Sequence, residues 1–275
     1  MSSVTHRAAV LGSPIEHSLS PTLHNAGYEA AGLKGWQYVA IECDAELLPK
    51  VVGEADESYA GFSVTMPAKF AALEFADSVS ERASLIGAAN TLVRTESGWT
   101  ADNTDCEGVL GALAELFPHG LPEGFSAVVI GGGGTARPAL WALGELQAGE
   151  ITVFNRSDKY EELVGLASRN GAAFVMHNYD DHEVIESVCQ RADVIISTVP
   201  SAVIAGFERC FAHAPVFDVI YDPWPTPLTL IARENGFSSV GGHVMLACQA
   251  YSQFEQFTGI PAPRTAMREA LESSL

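Results

Sequence analysis

An α/β protein of two domains is the fold class this sequence predicts, on three observations. Short apolar runs of strand length alternate with helix-length stretches along the chain, which is the grammar of layered α/β folds. One strand-like run, Phe125-Ser126-Ala127-Val128-Val129-Ile130, passes directly into Gly131-Gly132-Gly133-Gly134-Thr135-Ala136 and then into an apolar, helix-like stretch from Arg137. The length of 275 residues, with 47% hydrophobic content, suffices for two modest cores.

Taken in order, Ala8-Ala9-Val10-Leu11, Gln37-Tyr38-Val39-Ala40-Ile41 and Gly61-Phe62-Ser63-Val64 read as strands. Helical stretches fall near Thr22 to Ala31, Ala45 to Glu54 and Ser78 to Leu85. Thr91-Leu92-Val93-Arg94 and Trp99-Thr100-Ala101 flank Ser97-Gly98 as a hairpin expected at the edge of the first sheet. Glu107 to Phe117 is apolar at helical spacing and leads into a Pro/Gly-rich loop from Pro118 to Gly124. Beyond it, Glu150-Ile151-Thr152-Val153-Phe154, Val194-Ile195-Ile196-Ser197-Thr198 and Val216-Phe217-Asp218-Val219-Ile220 read as further parallel strands, and Val244 to Phe257 as a helix.

The charge balance narrows the range of partners. Fifteen basic residues against 34 acidic ones give a net charge of −19, which argues against nucleic acid or an anionic membrane as partner. The start, Met1 to Ala8, lacks the apolar core of a signal peptide, and no stretch approaches the roughly 20 apolar residues of a membrane span. A cytoplasmic protein is expected. Its five cysteines, Cys43, Cys106, Cys189, Cys210 and Cys248, show neither a paired nor a metal-binding spacing and read as free thiols. His17 and His24 have no ligand cluster around them, so no metal is expected.

Two constellations carry chemistry. Lys69 closes the run Gly61-Phe62-Ser63-Val64-Thr65-Met66-Pro67-Ala68-Lys69, just past a proline, and Asp105 ends Asn103-Thr104-Asp105. A lysine held by a carboxylate can share the proton traffic of a carbonyl reaction, so these two form the leading catalytic pair. The glycine run fits a dinucleotide fingerprint: Gly131 for the tight turn, Gly133 for approach of backbone to a pyrophosphate, and Ala136 as the small residue where helix packs on strand. The second strand of that unit ends in Asn155-Arg156-Ser157, with Lys159 close by and no acid at the tip. An arginine there pairs with a 2′-phosphate, which favours NADP over NAD. The unit is therefore expected to be a Rossmann-type, doubly wound parallel sheet.

With these residues in view, the sequence resembles the shikimate dehydrogenase family nearly end to end. The matching stretches, in family order, are Gly12-Ser13-Pro14-Ile15-Glu16-His17-Ser18-Leu19-Ser20-Pro21 with His24-Asn25, the lysine run from Ser63, Gly87-Ala88-Ala89-Asn90-Thr91-Leu92, and Asn103-Thr104-Asp105. The glycine loop, Asn155-Arg156-Ser157, Asp218-Val219-Ile220-Tyr221-Asp222-Pro223 and Met245-Leu246-Ala247-Cys248-Gln249-Ala250 follow. The resemblance implies a substrate-binding domain over residues 1–105 completed by helices over 246–275, and an NADP domain over 106–245. It implies reversible hydride transfer between NADPH and 3-dehydroshikimate to give shikimate, a step of aromatic amino acid biosynthesis, by a monomer or homodimer.

Ser18 and Ser20 would then bind the substrate carboxylate with Thr65 nearby. Ser63, Asn90, Gln249 and Tyr221 would add contacts, and Lys69 and Asp105 would act at the reacting oxygen. The cofactor would meet Gly131, Gly133, Gly134, Thr135, Ala136, Asn155, Arg156, Ser157, Lys159, Thr198, Gly242 and Met245. Two departures stand out: Ser63 occupies a position usually held by asparagine, and Tyr160 occupies the place of a second basic residue. A quinate/shikimate dehydrogenase of broader range, or a catalytically silent dinucleotide sensor, are the alternatives. Of these, the sensor has no need of Lys69 and Asp105.

Overall fold

A computed structural model describes residues 4–179 and 182–275. The chain divides into two compact units, one formed by Met1–Asp105 with Leu246–Leu275, the other by Cys106–Met245.

The first unit runs β1 (His6–Gly12), α1 (Ser20–Ala30), β2 (Trp36–Glu42), α2 (Leu48–Gly53), β3 (Tyr59–Val64), α3 (Lys69–Phe75), β4 (Ser78–Val79), α4 (Glu81–Ile86), β5 (Thr91–Thr95) and β6 (Gly98–Asp102). Its sheet has the order β2-β1-β3-β5-β6-β4. β1 lies parallel between β2 and β3, whereas β3, β5 and β6 are successively antiparallel. Alternation along β1 divides the core between the two faces. Ala8 and Val10 join Leu23, Tyr38, Phe254, Met267 and Leu271, while Ala9 and Leu11 join Phe62, Val64, Leu92 and Ala101.

The hairpin of β5 and β6 is present but does not form the sheet edge. Ser78 and Val79 pair parallel with Thr100 and Ala101 and cover it. The reason is local: the Ser80 hydroxyl accepts from Ala83 N at 3.2 Å, so α4 starts only at Glu81 and leaves Ser78–Val79 extended. The α3 helix beginning at Lys69 is a second element that the periodicity of the sequence does not announce.

The second unit runs α5 (Asp105–Leu116), whose first residue Asp105 still belongs to the first unit, then β7 (Ser126–Ile130), α6 (Ala136–Glu145), β8 (Glu150–Phe154), α7 (Tyr160–Ala167), β9 (Ala173–His177), α8 (His182–Cys189), β10 (Val194–Ser197), α9 (Glu208–Phe211), β11 (Val216–Asp218), α10 (Pro227–Glu234) and β12 (Ser239–Gly241). Its sheet order is β12-β11-β10-β7-β8-β9 with every pair parallel. This is the doubly wound order, in which the crevice at the switch point lies between the first and fourth strands of the unit, here β7 and β10. β11 stops at Asp218, two residues short of the expected strand, because the Asp218 carboxylate turns back to accept from Ile220 N at 3.2 Å.

Two helices complete the chain, α11 (Gly242–Thr258) and α12 (Arg264–Glu272). The unit boundary falls inside α11, between Met245 and Leu246. Its part in the first unit packs close to β3, because Gly61 presents no side chain: a Cβ there would collide with the Phe257 ring.

Candidate active site

The site in the first unit is built where α3 and α5 begin. Lys69 is the first residue of α3 and Asp105 the first of α5, and a carboxylate at a helix N-terminus is stabilised by the helix dipole. Lys69 Nζ donates to Asp105 Oδ2 at 2.6 Å, with both side chains largely shielded from water. The other carboxylate oxygen, Asp105 Oδ1, accepts from Asn90 Nδ2 at 2.9 Å. Asp105 N donates to Asn103 Oδ1 at 3.1 Å, and Asn103 Nδ2 to Ala88 O at 2.9 Å, which tie the helix start to the segment preceding β5.

Asn90 is buried, and its amide has a defined orientation. Oδ1 accepts from Thr104 N at 2.7 Å, and a backbone N–H can only donate. Nδ2 is therefore the atom turned toward Asp105. It also reaches Thr104 Oγ1 at 3.0 Å and lies 3.4 Å from Gln249 Oε1. Gln249, on α11, donates from Nε2 to Leu246 O at 2.9 Å.

Ser18 is half-buried and its Oγ accepts from Ser20 N at 3.4 Å; Ser20 is the first residue of α1. Thr65, also half-buried, is anchored by its N–H to Leu11 O at 2.8 Å, and its methyl group occupies the space left open by Gly12. Ser63 is placed differently from what its family position suggests. Its hydroxyl is buried, accepting from Tyr38 Oη at 2.5 Å and donating to Gln253 Oε1 at 2.7 Å.

In the second unit, Gly131 has φ +106°, and a Cβ there would meet Thr198 Oγ1 at 2.5 Å and Val199 Cγ1 at 2.7 Å. Only glycine suits that turn. Thr198 holds its far side, donating from both N and Oγ1 to Ile130 O at 2.9 and 2.8 Å. Gly133 and Gly134 face open space, leaving backbone accessible ahead of α6, which opens on the fully buried Ala136 with Thr135 at its N-cap. The residues therefore fit a dinucleotide whose pyrophosphate meets a helix N-terminus.

At the end of β8, Asn155 Nδ2 donates to Ser157 O at 2.8 Å, shaping a turn that leaves Arg156 and Ser157 exposed. A cavity of about 340 Å³ lies beside this turn, lined by Asn155, Ser157, Asp158, Tyr160, Met176, His177 and Asn178. Lys159 lies 3.8 Å from Glu162. Gly242 N donates to Ile220 O at 3.0 Å, and a Cβ at Gly242 would collide with the Val219 carbonyl. Close backbone packing is thus sufficient reason for that glycine. Met245 is largely buried, and Tyr221 lies half-buried in the segment after β11.

The electrostatics of the buried groups have separable causes. Burial pushes the Asp102 carboxyl up, but the Arg82 guanidinium, the Ser80 hydroxyl and the Gln256 amide overcome it and hold the pKa at about 2. Burial lowers His24 to about 3, against a small opposing effect of Gln253, so the ring is neutral. That neutral ring stacks on Tyr38 at 4.1 Å between centroids and 5° between planes. Burial pushes the Tyr38 and Tyr221 phenols up and raises Asp218 to about 6, the last despite hydrogen bonds from Thr226 and Ile220 N.

Sequence reading passed over Tyr38, Gln253 and Gln256, which surround the site. The available signal was the spacing Gln249, Gln253, Gln256 in an otherwise apolar helix: amides at i, i+4 and i+7 share one face.

Comparison with known proteins agrees with this architecture. The family profile for the shikimate dehydrogenase substrate binding domain matches residues 10–92, and that for the shikimate 5′-dehydrogenase C-terminal domain matches residues 242–272. A shikimate dehydrogenase (NADP(+)) of Citrifermentans bemidjiense is 36% identical over 98% of this chain and 96% of its own length. The crystal structure of Mycobacterium tuberculosis shikimate dehydrogenase superposes with a TM-score of 0.91 at 48% identity, over 98% of this chain and 99% of that one. The Thermus thermophilus shikimate 5-dehydrogenase, solved with NADP(H) and shikimate, superposes with a TM-score of 0.80 at 30% identity, over 98% and 100% of the two chains. With this identity spanning almost the whole of both chains, the protein belongs to the shikimate dehydrogenase family.

Proposed function

We propose that the chain catalyses the reversible NADP-dependent interconversion of shikimate and 3-dehydroshikimate, a step of aromatic amino acid biosynthesis. The observation that carries this reading is the shielded contact of Lys69 Nζ with Asp105 Oδ2 at 2.6 Å, backed by Asn90 on the second carboxylate oxygen at 2.9 Å. A pure binding protein has no use for a lysine–carboxylate pair beside an amide.

NADP, when bound, supplies or accepts the hydride at its nicotinamide. In the direction of reduction, Lys69 donates a hydrogen bond to the carbonyl oxygen, stabilises the negative charge that develops there and passes a proton to it. Asp105 keeps the ammonium aimed and takes part in recharging it. In oxidation the same pair receives the hydroxyl proton. Ser18 and Ser20, with Thr65, donate to the substrate carboxylate, and Gln249 meets a ring hydroxyl, since an amide can both donate and accept. These residues make the first unit the substrate-binding one.

The second unit holds the cofactor. Gly131 makes the turn, Gly133, Gly134 and Thr135 offer backbone to the pyrophosphate, and Ala136 lets the helix approach. Arg156, with Asn155, Ser157 and Lys159 around it, takes the 2′-phosphate through charge-assisted hydrogen bonds. Thr198, Gly242 and Met245 complete the cofactor site.

Turnover of shikimate and of quinate, each with NADP+ and with NAD+, tests the reading. Shikimate with NADP+ is expected to give the highest kcat/KM. Comparable turnover of quinate makes the enzyme a broader dehydrogenase, and absence of turnover with all four combinations refutes the catalytic reading.

A further inference from the structure

Gln253 is a buried side chain that makes three hydrogen bonds beside the site, and it has no part in the chemistry above. It is 1% exposed and lies one turn beyond Gln249 on α11. Nε2 donates to Asn90 O at 3.0 Å and to Thr91 Oγ1 at 3.0 Å, and Oε1 accepts from Ser63 Oγ at 2.7 Å. Ser63 and Thr91 are direct partners across the β3–β5 pair, so the amide sits over one rung of the sheet.

The direction of every bond in this group follows from its backbone ends. Asn90 O can only accept, so the Gln253 atom facing it is the NH2 group, and Oε1 is left for Ser63. The Tyr38 hydroxyl donates to Ser63 at 2.5 Å, so the Ser63 proton is free to go to Gln253. Thr91 Oγ1, having accepted from Gln253, donates its own proton to Asn90 Oδ1 at 2.8 Å. That donation reinforces the orientation that turns Asn90 Nδ2 toward Asp105 Oδ1, and Asp105 Oδ2 toward Lys69. The chain of donors thus runs from Tyr38 through Ser63 on one side of Gln253, and from Gln253 through Thr91 to the Asn90 amide on the other.

The Tyr38 end is itself immobilised. Its ring stacks on His24, and its backbone N–H and C=O are both bonded to the Asn25 side chain at 2.9 Å.

We infer that Gln253 is a positioning residue: it reinforces, through Thr91, the orientation of the Asn90 amide that Thr104 N defines, ties that strand to the helix carrying Gln249, and so holds the Lys69–Asp105 pair in register. It touches neither substrate nor cofactor. This rests on the proposed reaction only for the identity of the substrate. Ser63, by the same geometry, serves Gln253 rather than the substrate.

The test uses Gln253→Met, which keeps the volume and removes all three bonds, and Thr91→Val, which removes the Thr91 hydroxyl and with it the relay from Gln253 to Asn90 but leaves the Gln253 bonds to Asn90 O and Ser63. In both, kcat/KM for shikimate should fall about tenfold or more, since displacement of reacting groups by about 1 Å can cost on the order of 10²-fold. KM for NADP+ should stay within twofold. Hydrogen exchange of peptides covering 88–92 and 246–258 should quicken in Gln253→Met. A residue that only fills space would lower Tm and leave the kinetics of the folded enzyme alone, so kcat/KM for shikimate within threefold of the parent in the variants that fold overturns the inference. Should the parent itself fail to oxidise shikimate, the reaction assignment falls separately, and exchange decides: unchanged rates in both peptides overturn the positioning role.

Discussion

At Lys69, two bonded atoms separate a reactive group from a surface charge. The ammonium is held at 2.6 Å by a carboxylate whose other oxygen is already engaged by Asn90, so the carboxylate cannot turn away from the lysine without breaking a second contact. Lys69→Ala should lower turnover by roughly 10²-fold or more, as loss of a positioned acid/base group does, with NADP+ affinity preserved; near-normal kcat at saturating shikimate refutes the assignment. Arg156→Ala should weaken NADPH by about 1.5–3 kcal/mol more than NADH, the worth of a charged hydrogen bond. Equal losses for both cofactors in a titration place Arg156 away from the phosphate.

His24 gives a pH signature. Its folded pKa, near 3, lies below the unfolded value of 6.5. Between these the unfolded chain binds a proton that the folded one refuses, so stability falls as pH drops from about 6.5 toward 3. Asp218, raised to about 6, works the other way over roughly pH 4–6, because its folded form holds the proton longer. The two effects separate by substitution. Going from pH 7.5 to 5, His24→Phe should lose about 1–2 kcal/mol less stability in urea melts than the parent. Parallel losses show that His24 does not titrate on unfolding in this window.

Among the elements, α11 decides most. One of its faces carries Gln249, Gln253 and Gln256, which reach Asn90, the Ser63–Thr91 rung and Asp102 respectively. Asp102 is held in turn by Arg82 and Ser80 at the start of α4, so β6, α4 and α11 share one carboxylate. This close seating of the helix on the sheet needs the missing side chain at Gly61. Gly61→Ala should destabilise the protein by about 1–3 kcal/mol, the usual cost of overpacking a core, measured by urea denaturation. A change under about 0.5 kcal/mol means that Phe257 moves aside freely.

For the molecule as a whole, charge is the dominant fact. A net charge of −19 means that folding gathers many carboxylates against their mutual repulsion. Raising NaCl from about 10 mM to 0.5 M shortens the Debye length from roughly 30 Å to under 10 Å, and the Tm should rise. A flat or falling Tm shows that the attractive pairs such as Arg82–Asp102 outweigh the repulsion. None of the described helices is long and apolar enough to cross a membrane.

The sequence by itself determined the α/β class, the parallel second sheet, the glycine turn at Gly131 and the pairing of Lys69 with Asp105. Each of these rests on a local signal: hydrophobic period, a φ that only glycine adopts, or ordered motifs matching a known family. Only the tertiary structure decided the rest. Ser78–Val79 became an edge strand because Ser80 caps the helix behind it, and Ser63 turned inward because Tyr38 and Gln253 met it there. The partners of Gln253 lie 162, 163 and 190 residues away along the chain. A glutamine among apolar neighbours on a helix is compatible with solvent or core in sequence terms. The partner that gives it a role is chosen by how helix and sheet pack, which no local pattern encodes.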